Sequence, residues 1–143
     1  MFKIKDPDYK ARVAALFSAA NFIQEVGYQF LDCGPGWCET ELNLLPKHTQ
    51  QDRFVHAGVQ STMADHAAGA AAGTLLAANE IVLTVEFKIN LLRTAAGEKL
   101  FCRAEVLRPG SRVIVAESAV YAVVNEKQRL VSKAMVTLTG VTR

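Results

Sequence analysis

A run of alanine and glycine in the middle of the chain constrains its fold more than any other feature. Between Ala64 and Gly73 nearly every side chain is a methyl group or a hydrogen atom, and the exceptions are Asp65 and His66. Alanine favours helix, so residues 56–76 predict one helix of about 20 residues, roughly 30 Å long. A helix with such small side chains allows a sheet to close tightly around it. We therefore expect a buried helix, wrapped by sheet, that carries the carboxylate of Asp65.

Length and composition limit the class of protein. The chain has 143 residues, half of them hydrophobic, and a formal net charge of +2. This length suits one domain, residues 1–143, and the basic residues are too scattered for a nucleic-acid partner. The three cysteines fit neither a disulfide framework nor a zinc site, so we expect reduced thiols, a cytoplasmic location and no metal. We expect no membrane association, because the alanine tract is short and the first residues lack an apolar run.

Before the long helix, the sequence predicts one short helix and two strands. Asp6-Pro7-Asp8 has the residues of a helix start, and apolar side chains then recur at helical spacing until the helix ends before Gly27. Strands are predicted at residues 28–32 and 37–44. A polar loop follows, in which we expect His48 to be exposed to solvent.

After the long helix, apolar residues recur with a period of two, which is typical of strands. In the first of these strands we expect Val85 and Phe87 on one face and Thr84 on the other. Short turns between strands imply an antiparallel sheet, and helices on one of its faces make the fold α+β. A strongly curved sheet around the helix is the simplest such arrangement. The four predicted strands are residues 83–91, 98–107, 112–124 and 129–139.

Two segments at the start of the long helix resemble the signature of hotdog-fold thioesterases. They are Gln50-Gln51-Asp52-Arg53-Phe54-Val55-His56-Ala57-Gly58 and Met63-Ala64-Asp65-His66-Ala67-Ala68-Gly69. The pattern is most similar to the phenylacetate-pathway (PaaI-like) type, and the likeness extends over nearly the whole chain. The resemblance implies a sheet around a helix, a homodimer or a dimer of dimers, and hydrolysis of acyl-coenzyme A thioesters without a metal or another cofactor.

The resemblance also implies roles for individual residues. Asp65 matches the catalytic carboxylate, and Ala57 matches the helix-start residue whose N–H polarises the thioester carbonyl. Gln50 matches an amide that helps to bind that carbonyl, and Thr84 matches a position where some relatives carry a serine beside the carboxylate. The remaining candidates contact substrate beside the helix start or at a turn near which relatives bind coenzyme A phosphates: His56, Gly58, Arg108, Ser111 and Arg112.

Several readings of these residues stay open. Asp65 acts either as general base or as nucleophile, and it also fits a buried acid with a structural partner. Gln51 replaces Gln50 in the proposed role if the loop register differs by one residue. His66 is expected in the core or at an interface. Arg53 stands where relatives commonly carry glycine. We also expect His56 to order the turn that leads into the helix.

The spacing of the site residues suggests a shared active site. Ala57 and Asp65 are eight residues apart, which is about 12 Å along a helix. One thioester carbon cannot lie close to both groups in the same chain. A twofold-related partner can bring its own helix start to Asp65, so we expect an obligate homodimer at least. An unpaired sheet edge at residues 83–91 would be prone to aggregation, and this also favours pairing of that strand with its copy in a partner subunit.

Two other functions compete with thioester hydrolysis. A hotdog dehydratase or hydratase would act on an acyl thioester, but its usual histidine–acid motif is absent. A non-catalytic acyl-CoA-binding module is the second alternative, and the retained acid and helix-start donor argue against it. A serine hydrolase is not supported, since the sequence has no G-x-S-x-G elbow.

Overall fold

The computed structural model describes residues 1–143 and contains one antiparallel sheet with helices on one of its faces. The helices are α1 (Tyr9–Ala19), α2 (Asn21–Val26) and α3 (Ala57–Gly73), with a short 3-10 turn at Pro46–His48. The strands are β1 (Gln29–Gly34), β2 (Trp37–Asn43), β3 (Glu80–Leu91), β4 (Lys99–Pro109), β5 (Ile114–Val124) and β6 (Lys127–Thr142). Their spatial order is β1-β2-β4-β5-β6-β3. The α+β prediction of a sheet around a long helix is confirmed.

Helix α3 lies at the centre of the core and packs against all six strands. Ala64, Ala67, Ala68 and Ala71 are completely buried, so the sheet approaches the helix backbone on this face. The Ser118 hydroxyl of β5 even donates a 2.7 Å hydrogen bond to the Ala64 carbonyl oxygen. One helix can touch every strand only if the sheet curves around it, and the small side chains permit that close approach.

The ends of α3 are fixed by side chains, and the helix is shorter than predicted. His56 precedes the first turn, and its Nδ1 accepts a 2.8 Å hydrogen bond from the Gly58 N–H. This confirms the expected ordering role of His56. After Gly73, the Thr74 hydroxyl donates to the Ala71 carbonyl oxygen at 2.6 Å and accepts from the Gly36 N–H at 2.8 Å. No helix of the chain is long and apolar enough to cross a membrane.

The predicted N-terminal helix is two helices, because the backbone is extended at Ala20 between them. Helix α1 buries Val13 and Phe17 and is attached to the end of α3 by Arg12. The guanidinium of Arg12 donates to Asp6 Oδ2 at 2.6 Å and to the Gly73 and Leu76 carbonyl oxygens at 3.2 and 3.1 Å. A cation bound to the last carbonyls of a helix is favourable. Arg12 therefore holds α1 beside the C-terminal half of α3.

A β-bulge corrects the predicted faces of β3. Thr84 pairs with Leu138 of β6, but the next pair joins Glu86 to Thr137, so Val85 is an extra residue. Phe87 then pairs with Val136. Leu138 and Val136 are both completely buried, so Thr84 and Phe87 both face α3. The prediction that they lie on opposite faces is wrong, because a bulge shifts the alternation by one residue.

Two local predictions in loops are also wrong. His48 is buried rather than solvated: its Nε2 lies 2.6 Å from the Val26 carbonyl oxygen, and its Nδ1 accepts from the Leu45 N–H at 3.0 Å. It therefore joins the loop to the end of α2. Arg108 and Pro109 belong to β4 rather than to the turn. The three cysteines, Cys33, Cys38 and Cys102, are buried and unpaired.

Candidate active site

A hydrogen bond between α3 and β3 defines the candidate site. Asp65 lies in the middle of α3 and is half-buried, while Thr84 reaches it from β3. The Thr84 hydroxyl donates to Asp65 Oδ1 at 2.8 Å. No other residue bonds the carboxylate, so Oδ2 remains free to accept a proton or to attack a carbon. The structure thus brings two of the sequence-predicted site residues together.

Two cavities meet at Asp65 and His66. The first, which we call the α1 groove, has a volume of about 300 Å³ and lies between α1, α3 and β3. The second, the α2 cleft, has a volume of about 460 Å³ and is lined by α2, the start of α3 and Phe87. Both volumes are in or near the range of small-molecule sites. A ligand that crosses the junction of the two cavities passes the free oxygen of Asp65.

The start of α3 offers an unused hydrogen-bond donor. Ala57 and Gly58 are exposed, and the Gly58 N–H is taken by His56, whereas the Ala57 N–H has no partner in the chain. Free N–H groups at a helix start carry the positive end of the helix dipole and can bind a developing oxyanion. Ala57 is eight residues from Asp65, or about 12 Å along the helix. A single chain therefore separates this donor from the carboxylate.

Gln50 lies in the loop before α3, at the end of the helix that carries Ala57. Its side-chain oxygen accepts a hydrogen bond from the Asp52 N–H, which leaves the amide NH₂ free to donate. Gln51 is more exposed, and its NH₂ already donates to Asp52 Oδ2 at 3.1 Å. Arg53 completes the turn with φ of 68°, in the left-handed region that favours glycine. Gln50 therefore belongs to the turn before the helix start, and it lines neither of the two cavities at Asp65.

The remaining substrate-binding candidates lie at the end of β4 and in the connection from β4 to β5. Arg108, Ser111 and Arg112 are exposed, and neither arginine side chain forms a hydrogen bond or an ion pair. The Thr139 hydroxyl donates to the Arg112 carbonyl oxygen at 2.7 Å, and Thr139 pairs with Leu83. The connection is thus close to the part of β3 that carries Thr84, but at the opposite end of the sheet from Ala57.

His66 has an unusual environment beside the site. Its ring lies 4.5 Å from the ring of Phe17, and its Nε2 is buried without a partner. Burial lowers the pKa of His66, and the negative charge of Asp65 opposes this shift only in part. A neutral imidazole is therefore favoured between the two cavities. No group of three or more histidine, cysteine or acidic side chains is arranged to hold a metal ion.

Sequence reasoning missed the contribution of α1 to the site. Leu16 and Phe17 line the α1 groove, together with Gly69 and Gly73 of α3. These residues line one groove because α1 lies beside α3, where Arg12 binds the last carbonyl oxygens of that helix. The only local signal is the pair of glycines on one helix face, which the sequence analysis treated as part of the packing surface.

Comparison with known proteins identifies the family. A family model described as the thioesterase superfamily matches residues 53–132, which is more than half of the chain and includes Asp65 and Thr84. The chain belongs to the thioesterase superfamily. Membership supports hydrolysis of a thioester in general terms. No functionally curated protein shows significant similarity to the chain.

Solved structures agree with this membership of the thioesterase superfamily. A thioesterase family protein from Silicibacter pomeroyi is 35% identical with a TM-score of 0.91, over 94% of this chain and 99% of that one. A conserved protein from Pseudomonas aeruginosa is 26% identical with a TM-score of 0.78, over 85% and 94% of the two chains. A thioesterase from Haemophilus influenzae, 19% identical with a TM-score of 0.85 over 97% and 94%, shares the fold. The hotdog fold implied by the sequence is therefore confirmed.

Proposed function

We propose that this protein hydrolyses acyl-coenzyme A thioesters to the free acid and coenzyme A, and that it is of the phenylacetate-pathway type. One observation supports the proposal most strongly: Asp65 has one oxygen bound by Thr84 and the other free at the junction of two cavities. A carboxylate held in this way has a fixed direction of approach to a substrate. Membership of the thioesterase superfamily makes a thioester carbonyl the natural target.

Two mechanisms use the free oxygen of Asp65. As a general base, Oδ2 accepts a proton from water while the water oxygen bonds to the thioester carbon, and the C–S bond then breaks. As a nucleophile, Oδ2 bonds to that carbon and forms a mixed anhydride, which water then hydrolyses. Both routes release the thiolate of coenzyme A, which takes up a proton. Both also place negative charge on the carbonyl oxygen and require a donor there.

That donor is the Ala57 N–H of a partner subunit in a homodimer. Strand β3 is an edge strand of 12 residues that pairs only with β6. It exposes large apolar side chains, with Leu83, Val85 and Phe87 between 41% and 61% exposed. Such an edge favours pairing with another strand. Twofold pairing of β3 with its copy places the two α3 helices antiparallel, so that each helix start approaches the other chain's Asp65.

The same assembly assigns roles to the remaining candidates. Gln50 precedes the helix start, so its free NH₂ accompanies Ala57 and donates to the same carbonyl oxygen. Arg108, Ser111 and Arg112 lie near Leu83 and offer unpaired cations and a hydroxyl to the phosphates of coenzyme A. A dimer of dimers is compatible with this site, since the outer face of the sheet takes no part in it. Asp65 needs no metal, so activity is expected to survive treatment with a chelator.

The proposal is tested by incubating the protein with aryl- and fatty-acyl-CoAs and measuring free thiol. Asp65→Asn keeps the volume of the side chain but removes its charge, so turnover is expected to fall at least about a hundredfold. Glu117→Gln, on the outer face of the sheet, is the matched control and is expected to keep full activity. If the Asp65→Asn variant turns over substrate as fast as the unmodified protein, the proposal is contradicted. Binding without thiol release indicates a binding module, and a change in acyl unsaturation without thiol release indicates a hydratase.

A further inference from the structure

We infer that the α1 groove binds the acyl chain of the substrate in an extended form, and that Gly69 determines how long a chain the groove accepts. The inference rests on the proposed function, because it assigns one of the two cavities beside Asp65 to one part of the substrate. It predicts a preference for unbranched aliphatic acyl groups of medium length.

No packing contact explains why residue 69 is a glycine. It lies in the middle of α3, where glycine is less stable than alanine. Its φ is not positive, and a Cβ built on it has no atom within 4 Å. By contrast, a Cβ on Gly73 meets Val13 Cγ2 at 3.5 Å, an ordinary packing contact. Gly69 lines the α1 groove, so the open space beside it is the groove itself.

The walls of the groove suit an aliphatic chain. Leu16 and Phe17 of α1 face Val82 of β3 across it, and its α3 wall between Gly69 and Gly73 carries no polar side chain. The α2 cleft also has apolar walls, formed by Phe22, Ile23 and Phe87. An alkyl chain gains by leaving water for the apolar walls of either cavity. The α1 groove is the better site for the acyl chain because its α3 wall has open space beside Gly69, whereas the glycine of the cleft, Gly58, lies against the His56 ring.

Polar groups at the far end limit the length of the groove. Arg12 lies there and is already bound to Asp6 and to two α3 carbonyl oxygens. Glu80 also lines this end, and its Oε2 accepts from the Ala77 N–H at 2.8 Å. An alkyl chain placed against these charged groups would displace the water that binds them and would form no hydrogen bonds in its place, which is unfavourable. The apolar path therefore ends near Gly73.

The length of the path follows from helix geometry. Asp65 and Gly73 are eight residues apart, which corresponds to about 12 Å along α3. An extended chain advances about 3.3–3.6 Å for every three bonds, so this path holds about ten bonds. Gly69 lies only about 6 Å from Asp65 along the helix, so a chain of four carbons ends before it. A side chain at position 69 would therefore affect long acyl groups and spare short ones.

The test measures binding of non-hydrolysable butyl- and decyl-coenzyme A thioethers by calorimetry. Gly69→Leu fills the groove, and its helix is expected to be at least as stable because leucine favours helix over glycine. We expect decyl binding to weaken at least about tenfold, since each methylene lost from an apolar site costs about fourfold in affinity. Butyl binding is expected to change less than about twofold on the same grounds. Ala15→Leu, on the exposed side of α1, is the matched control and should change neither.

Three results overturn the inference. The Gly69→Leu variant binds the decyl ligand as tightly as the unmodified protein does, or it loses the same fraction of its affinity for both ligands. The third is that Ser61→Leu in the α2 cleft, and not Gly69→Leu, weakens binding of the decyl ligand. Thiol release by the unmodified protein is measured separately. Decyl binding that depends on Gly69 without any thiol release would support the groove and contradict the proposed hydrolysis. Thiol release together with unchanged decyl binding in the Gly69→Leu variant would support the proposed hydrolysis and contradict the inferred role of the groove.

Discussion

The Thr84 hydroxyl holds the Asp65 carboxylate through a 2.8 Å hydrogen bond that joins β3 to α3. The bond occupies Oδ1 and leaves Oδ2 without a partner on a residue that lines both cavities. The β-bulge at Val85 allows Phe87 to face α3 together with Thr84. In the proposed mechanism Thr84 is therefore a positioning residue that acts through Asp65.

Replacement of this hydroxyl tests the positioning role. Thr84→Val keeps the shape of the side chain but loses the donor. A hydrogen bond to a charged group contributes about 1.5–3 kcal/mol, so kcat is expected to fall at least about tenfold. KM should change little, because the hydroxyl acts on the carboxylate and not on the substrate. Thr84→Ser retains the donor and should restore most of kcat; equal kcat values for Thr84→Val and the unmodified protein would exclude the role.

Gln50 is expected to contribute less than Asp65. In the proposed site its free NH₂ donates one neutral hydrogen bond to the substrate carbonyl, so Gln50→Ala should lower kcat about tenfold, which corresponds to about 1.5 kcal/mol in the activation free energy. Gln51→Ala is the matched control, since the Gln51 NH₂ already bonds Asp52. Steady-state kinetics of both variants decide between the two glutamines. A silent Gln50→Ala with a damaging Gln51→Ala would place the active amide one residue later.

Arg53 carries backbone strain in the same loop. Its φ of 68° is costly for a residue with a Cβ but not for glycine. Arg53→Gly should therefore raise the free energy of unfolding by about 0.5–1 kcal/mol, after the greater entropy of glycine in the unfolded chain is subtracted. Urea denaturation measures the change, with Arg53→Lys as a control that keeps the strain. A less stable Arg53→Gly variant would show that the arginine side chain stabilises the loop.

Asp6 makes the attachment of α1 dependent on pH. The hydrogen bond from Arg12, with a further one from the Asp8 N–H, holds the pKa of Asp6 below its ordinary value of 3.8. A carboxyl whose pKa falls on folding stabilises the protein fully above its unfolded-state pKa, and this contribution is lost as the pH falls through the folded-state pKa.

Asp6→Asn should therefore lower the free energy of unfolding at pH 7, and the difference from the unmodified protein should shrink as the pH falls below 3.8. Urea titrations at pH 7 and at one pH below 3.8 measure this difference. Asp8→Asn is the control, because the Asp8 side chain forms no hydrogen bond or ion pair. A constant difference at both pH values would mean that the charge of Asp6 is not responsible.

The features that sequence reasoning predicted are those that depend only on residues close together in the sequence. The alanine run specifies α3, and period-two alternation specifies the strands that follow it. The position of His56 before the first turn predicts its capping role, because a cap depends only on its immediate neighbours. Asp65 stands out for the same local reason, as the only carboxylate on a helix of small residues.

The features that were missed depend on contacts between distant residues. The bulge at Val85 exists because β3 and β6 pair in a particular register, which no alternation within β3 reveals. His48 is buried because the end of α2 supplies a carbonyl oxygen 22 residues away in sequence. The α1 groove requires Arg12 to reach the last carbonyls of α3. A single local pattern cannot encode any of these pairings.

The central claim is that each active site combines Asp65 of one chain with the Ala57 N–H of its partner. It is tested by co-expressing Asp65→Asn chains with Ala57→Pro chains, since proline removes the N–H and is tolerated in the first turn of a helix. Each variant alone should be nearly inactive. In a mixed dimer one of the two sites is intact, so random pairing should restore about a quarter of the unmodified activity. Activity that stays at the level of the separate variants, although mixed dimers form, would contradict the shared site.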